Sequence, residues 1–412
     1  MIVLGIESSC DETAAAIVED GTRLLSTVVA SQIDIHAAYG GVIPEVAARS
    51  HLEVMLPVIQ QSLDEAGLTW GEIDAIAVTY APGLVGSLLI GTLAARTLAL
   101  IKHKPLYPVH HVEGHVYANF IDARTQAAES QTSKGASEPT SADRTGNSLA
   151  RDFAFPAKRG KTNSQLAPSE SRAKDVAGLV GSSSTTPTFP LLALIVSGGH
   201  SQLALFKGHG DFRLLGQTQD DAVGEAFDKV AKIIGLPYPG GPSITQAAHR
   251  GNPHAFPFPK ARMQNKYDFS FSGLKTAVLR TVQTEVGVDY TFPSHRLAER
   301  VNLQLQADIA ASFQYVAVET LVDKTVQAVA DHSPASVVIA GGVAANSELR
   351  RQLRERLPIS IDYAPINLCT DNAAMIASLG YFYAQANRPT DPRALEVAPS
   401  LSMTKTAWAP TI

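Results

Sequence analysis

Residues 2–19 and 189–208 carry the same pattern, and a chain that repeats it has few folds open to it. "IVLGI" (2–6) and "AAAIVE" (14–19) read as two strands joined by the polar turn "ESSCDET". "FPLLALIVSGGHSQLALFKG" (189–208) again reads as strand, Gly/Ser turn, strand. Each hairpin is followed by helical periodicity, as in "EVAARSHLEVMLPVIQQSLDEAG" (45–67), which stops at Gly67. Each half then has a buried strand that runs into glycines and a helix. These are "IDAIAVTY" (73–80) before "APGLVGSLLIGTLAARTLALI", and "SVVIAGGVAANSELRRQLRERL" (336–357). We read this as an internal duplication of an αβ unit. Two such halves with their hairpin turns facing one cleft would suit a phosphate-bearing ligand, because backbone N–H groups at both turns could grip it. The alternative is two unrelated α/β domains.

Between the halves the character changes. From about Ala123 to Pro187 the chain is rich in Ser, Thr, Gly, Ala and Lys and poor in large apolar residues. Such a segment cannot form a core, so it is expected to be a flexible, disordered insertion. The expected organisation is an N-terminal half over 1–122, an insertion over 123–188 and a C-terminal half over 189–412, whose last helices can pack back on the first half.

Composition narrows the class. The 412 residues are 45% hydrophobic and 18% charged, with a formal net charge of -5. That argues against a chain coated by nucleic acid, although a local basic face can hide in a mildly acidic total. The two cysteines, Cys10 and Cys369, are far apart and form no disulfide framework. The start "MIVLGIESSCDE" lacks the basic region of a signal peptide, and no apolar run reaches the roughly 20 residues of a membrane span. A cytoplasmic protein with no membrane contact is expected.

Several motifs bear chemistry. "VSGGHSQL" (196–203) sets two glycines between two strands, which is either a ligand-approaching turn or an ordinary hairpin. "IAGGVAAN" (339–346) is more specific, because a buried strand runs through paired glycines into a helix. It lacks both the GxGxxG and the GxxxxGK[ST] patterns, so neither a dinucleotide fold nor a P-loop is indicated. "QDDAVGEAFDKVAKIIG" (219–235) reads as an amphipathic helix with Asp220 and Asp221 at its start. Its Asp228 is either a surface ion-pair partner of Lys232 or a carboxylate for ligand hydroxyls. "HRGNPHAFPFPKARMQNKYDFSFSGLKTAVLR" (249–280) interleaves cations with Phe256, Phe258, Tyr267, Phe269 and Phe271. This is the composition of an RNA-contacting surface, or of a proline-rich loop over a core.

His111 and His115, in "HHVEGHV" (110–116), are four apart and share one helix face. A zinc peptidase has its general-base Glu directly after the first His. Here Glu113 comes two residues on, about 200° round the helix, and points away. The peptidase reading therefore loses its base. A carboxylate from elsewhere would complete a two-His, one-carboxylate site. Asp371, in "CTDNAAMIA" at a loop–helix junction, is a candidate. His110 has no assigned role.

"GIESSCDET", "HAAYGGVIPEVAARSH", "APGLVGSLLIG", "HHVEGH", "VSGGHSQL", "DDAVGEAFDKVAK", "LPYPGGP", "FSFSGLKTAV", "GGVAANSELR" and "CTDNAAMIA" resemble, in that order, the motifs of the TsaD (Gcp/YgjD) family. "GIESSCDET" is similar to its bacterial and mitochondrial branch. The resemblance implies an α/β, actin-like, sugar-kinase-like fold with two RNase H-like halves. It implies transfer of a threonylcarbamoyl group from L-threonylcarbamoyl-AMP to N6 of adenosine 37 in tRNAs that read ANN codons. It implies that His111, His115 and Asp371 hold one divalent metal, Fe(2+) first and Zn(2+) as the alternative. Ile195, Val196, Ser197, Gly198, Gly199, Asp228, Gly241 and Asn346 fall on the family's substrate-binding positions, with Asp228 on the ribose or the threonylcarbamoyl group. Glu12 and Asp11 fall on acids near the reaction centre. Implied partners are the tRNA anticodon loop, TsaB- and TsaE-like proteins, and a second copy in a dimer. The 123–188 insertion departs from the bacterial pattern and leaves every motif intact.

Three rivals remain. A small-molecule kinase of the same fold would need a catalytic Asp and no His pair. A metallopeptidase is disfavoured by the position of Glu113. A catalytically idle scaffold is disfavoured by the intact "HHVEGH" and "CTDN".

Overall fold

Ten strands form two sheets with one plan. In this computed structural model residues 1–122, 186–386 and 388–405 are described. The insertion expected at 123–188 lies outside them from 123 to 185. The first sheet holds β1 (Ile2–Glu7), β2 (Glu12–Glu19), β3 (Arg23–Ser31), β4 (Ala75–Ala81) and β5 (Leu106–His110), in the order β3-β2-β1-β4-β5. The second holds β6 (Leu191–Val196), β7 (Ser201–Gly208), β8 (Asp211–Gln217), β9 (Ser336–Ala340) and β10 (Ile361–Tyr363), in the order β10-β9-β6-β7-β8. In both, the first three strands form an antiparallel meander, the fourth pairs in parallel with the first, and the fifth pairs in parallel with the fourth. The duplication read from the hairpins is therefore real, and each half is RNase H-like in an actin-like, sugar-kinase-like α/β fold. The parallel strands are apolar runs because helices cover both faces of each sheet.

The helices are α1 (Ile33–Ala37), α2 (Pro44–Ala66), α3 (Val85–Lys102), α4 (His111–Tyr117), α5 (Val223–Ile233) and α6 (Gly240–Ala248). They continue with α7 (Ser272–Glu285), α8 (Leu303–His332), α9 (Ser347–Arg356), α10 (Ile366–Cys369) and α11 (Ala373–Gln385). α2 ends at Gly67, which takes the left-handed conformation at φ 65° and closes the helix on Asp64 and Leu63 carbonyls. α5 begins at Val223, later than its periodicity predicts, and Asp220 and Asp221 lie outside it. Asp220 instead accepts the Phe271 and Ser272 N–H groups at the start of α7, and Asp221 binds Lys229 and Lys275. Acids ahead of a helix were legible, but which helix they serve is a tertiary matter.

The two halves cross. α4, which ends the first half, packs on β6 and β9, and α11, which ends the second, packs on β1, β2 and β4. The approach is close: a Cβ on Gly380 would sit 2.4 Å from the Ala77 Cβ. One apolar core consequently runs from Val3 and Ala77 through α4 and α11 to Leu194 and Ile339. A second, smaller core lies between α2, α3 and the other face of the first sheet.

Among the described residues one helix, α3, is long and apolar enough by length and composition to cross a membrane. Sequence reading expected none, because Arg96 interrupts the run. Arg96 is held by the Pro392 and Arg393 carbonyls. Leu88, Gly91, Thr92, Ala95 and Ala99 are buried. Val85, Leu89 and Leu93 form an exposed stripe beside Leu52 and Leu56 of α2.

Candidate metal centre and ligand cleft

The duplication places the candidate ligands. The helices that follow the fifth strand of each half meet between the sheets: α4 carries His111 and His115, and the junction of α10 and α11 carries Asp371. One ligand atom from each residue lies within 4.8 Å of the others. Both imidazole Nε2 atoms are 3.4 Å from the same Asp371 carboxylate oxygen. The local fold explains this. His110 closes β5, so the next turn of chain is helical and points both imidazoles across the cleft. Asn372 caps α11 by accepting the Met375 N–H, which fixes the residue before it at the helix mouth.

A second carboxylate orients the first histidine. Glu7, at the end of β1, accepts from His111 Nδ1–H at 3.1 Å, since a carboxylate can only accept. That sets the tautomer and leaves Nε2 toward Asp371. Glu7 is itself held by the Ser9 N–H at 2.5 Å and the Thr79 hydroxyl at 2.5 Å. Burial disfavours a charged His111, yet Asp371 and Glu7 outweigh it and hold the imidazole well above its ordinary pKa. Burial likewise opposes the Asp371 charge, and His111 outweighs it, so that carboxyl stays well below the usual range. Burial pushes His115 down, which keeps it neutral. Two acids facing one imidazole make a site that favours positive charge.

The donor set fits a divalent metal. Both ring nitrogens of His115 are buried and have no hydrogen-bond partner. A buried imidazole that spends neither nitrogen on the protein is costly unless something else binds it. Two imidazole nitrogens and one carboxylate suit a divalent transition metal. Glu113 takes no part. It is fully buried, accepts from the Tyr383 hydroxyl at 3.1 Å and is pushed up to about 8 by burial. Glu113 is therefore not placed to act beside the histidines as the base of a peptidase.

The other predicted residues fall into two groups. Ser197, Gly198 and Gly199 form the β6–β7 turn, closed by the Ser197 N–H to the His200 carbonyl at 2.9 Å. A Cβ on Gly198, Gly199 or Gly241 would meet nothing within 4 Å, so these backbones lie open to the cleft. Asp228 accepts the Gly240 N–H at 2.6 Å and so braces the "LPYPGGP" loop, rather than pairing with Lys232. Burial, then Glu225 and Asp11, raise its pKa. Asp11 and Glu12 end the first hairpin turn. Burial, then Asp11 and Asp371, push Glu12 up to about 9, and Asp11 accepts its hydrogen bond. The second group is held in the scaffold. Ile195 and Val196 are fully buried strand residues that carry the turn. Asn346 caps α9 through the Leu349 N–H and spends both amide hydrogens on Thr245 and Gln314.

Of the two readings left open for 249–280, the structure favours the loop over a core. The aromatics of 249–280 offer no stacking faces, because Phe269 and Phe271 are fully buried and Phe258, Tyr267 and Phe256 pack on the core. The segment is the proline-rich loop over a core. Sequence reading also missed Glu7 and His200. Glu7 looked like the first polar residue of a turn, and only its place at the end of an apolar strand hinted otherwise. His200 sits in the second hairpin turn, where burial and then His111 and His115 push it down to about 3.

Comparison with known proteins gives one consistent answer. The profile of TsaD, described as tRNA N6-adenosine threonylcarbamoyltransferase, matches residues 23–129 and 175–378. The tRNA N6-adenosine threonylcarbamoyltransferase of Thermomicrobium roseum is 45% identical over 93% of this chain and 92% of its own. That of Symbiobacterium thermophilum is 45% identical over the same shares, 93% and 92%. Among solved structures, the (R)-2-hydroxyglutaryl-CoA dehydratase component A of Acidaminococcus fermentans covers 93% of this chain and 99% of its own, at 14% identity and a TM-score of 0.43.

Proposed function

The chain belongs to the TsaD family of tRNA N6-adenosine threonylcarbamoyltransferases, an acyltransferase family, and from that membership we propose how its cleft places a threonylcarbamoyl group on N6 of a tRNA adenosine. The donor is L-threonylcarbamoyl-AMP, and the acceptor is adenosine 37 in the anticodon loop of tRNAs that read ANN codons. The observation that carries this reading is the meeting of His111 and His115, from the helix that ends the first half, with Asp371, at the mouth of the helix that ends the second.

His111, His115 and Asp371 hold one divalent metal, Fe(2+) first and Zn(2+) second. When bound, it polarises the carbamoyl carbonyl and orients the donor. The chain's own residues do the rest. The open backbones of Ser197 to Gly199 and of Gly241 receive the nucleotide, with Ile195 and Val196 beneath them and Asn346 setting the turn that precedes α9. Asp228 holds the Gly240 loop with one oxygen and meets a ribose or threonyl hydroxyl with the other. In the transfer the N6–carbamoyl carbon bond forms and the bond from that carbon to the phosphate oxygen breaks. AMP leaves with the electron pair. Glu12, raised to about 9, keeps its proton at neutral pH and can hydrogen-bond the departing phosphate, while the Asp11 carboxylate can take up the proton that N6 loses.

Mass spectrometry of nucleosides after mixing the chain, the donor and unmodified tRNA tests this reading. Threonylcarbamoyladenosine at position 37 is expected. A phosphorylated small molecule with ADP, or peptide cleavage, in its place would refute it. TsaB- and TsaE-like proteins are the proposed helpers, in the cytoplasm. The exposed stripe of Val85, Leu89, Leu93, Leu52 and Leu56 supports a protein partner, TsaB-like or a second copy.

A further inference from the structure

A cavity of about 340 Å³ lies beside the metal centre, between His110, His200, Gln202 and the strap Pro399–Met403. The strap is pinned in place. The Ala398 N–H donates to the Tyr80 carbonyl at 2.9 Å, and the Gly83 N–H donates to the Pro399 carbonyl at 3.1 Å. His110 Nε2–H donates to the Leu401 carbonyl at 3.1 Å. With that proton on Nε2, His110 Nδ1 is an acceptor, and it is buried without a partner. Gln202 Oε1 is a second buried acceptor without a partner, on a residue only 9% exposed. Gln217 lies opposite Gln202 in the β7–β8 register and lines the same cavity. Unpaired buried acceptors are costly, so the cavity calls for a ligand that donates. None of the residues lining it is Lys, Arg, Asp or Glu.

We propose that this cavity receives the acceptor adenine, flipped out of its RNA, with an N6–H donated to Gln202 and the purine edge read by His110, His200 and Gln217. The inference rests on the transferase reading above and adds the acceptor's seat to it. An uncharged base with two N–H donors and several ring acceptors matches an uncharged lining of amides and imidazoles. The threonyl group carries a carboxylate and would need a cation that the lining lacks. The location is also right, since His110 and Val112, which flank the metal-centre residue His111, both line the cavity. N6 keeps one hydrogen after acylation, so a single accepted N–H bond lasts from substrate to product.

Gln202→Met keeps the volume and removes the acceptor. With an anticodon stem-loop RNA it is expected to lower kcat/KM for transfer about tenfold. Metal content, thermal midpoint and RNA-independent release of AMP from threonylcarbamoyl-AMP should stay at the wild-type level. A second arm needs only binding: a stem-loop with purine riboside in place of adenosine 37 should bind the wild type about tenfold more weakly than the adenosine RNA. It should bind Gln202→Met equally well. Undiminished transfer by Gln202→Met overturns the proposal. So does a loss of donor-only AMP release, which would give the cavity to the threonyl group, or equal binding of both RNAs by the wild type, which would leave it to water. If the wild type forms no modified nucleoside, the transferase reading fails, while the binding arm still reads the cavity.

Discussion

His111 offers a nitrogen to a cation because Glu7 holds the opposite side of its ring. Loss of such an outer carboxylate typically costs 10- to 100-fold in metal affinity. Glu7→Gln is expected to weaken Fe(2+) binding by about that factor, seen by competition with a chelator, while the fold persists. Unchanged affinity would mean that Glu7 serves only the β1 end. Glu12 makes a pH prediction. Its carboxyl rises from an ordinary 4.5 to about 9 on folding. A raised folded pKa gives stability that is complete below about 4.5 and is lost as pH climbs through about 9. Metal-free Glu12→Gln should therefore gain thermal midpoint relative to wild type as pH rises from 5 to 9. A difference that stays flat across that range would contradict the buried, protonated Glu12. The histidine pair was legible because residue type and helical spacing carry it, whereas Asp371 was a candidate at a loop–helix junction that the family resemblance joined to the pair. Glu7 was not legible, because an acid after an apolar strand looks like turn polarity until its partner, 104 residues on, is seen.

At the level of elements, the hairpins and glycine turns were legible because period-two patterns and glycine breaks are local. That the last helices can pack back on the first half was expected, but the residues that let them approach were not legible. The approach of α11 to the first sheet depends on Gly380 meeting Ala77, two residues 303 positions apart. Gly380→Ala adds a methyl where only 2.4 Å separates it from the Ala77 Cβ, and should destabilise the protein by about 1–3 kcal/mol in urea unfolding. A neutral result would show that the helix can lift without cost. The same distinction explains the 249–280 segment. Its cations and rings suggest RNA, but composition cannot say which way a ring faces, and Phe269 and Phe271 face inward.

At the scale of the whole molecule, the described residues form two copies of one αβ unit whose final helices trade places, so one site needs both. Its outer face tells a second story: α3 is apolar on two sides, one buried in the protein and one open as Val85, Leu89 and Leu93. Leu89→Glu should leave metal content and folding intact and abolish any stimulation of transfer by a TsaB-like protein, read in the nucleoside assay. Stimulation that survives would move the partner elsewhere. The central claim, that Asp371 of one half completes a metal site begun by His111 and His115 of the other, is tested most directly by metal content and transfer activity of Asp371→Ala. The account predicts that both fall together, to near the level of His111→Ala. Full metal content with undiminished transfer in Asp371→Ala would contradict it.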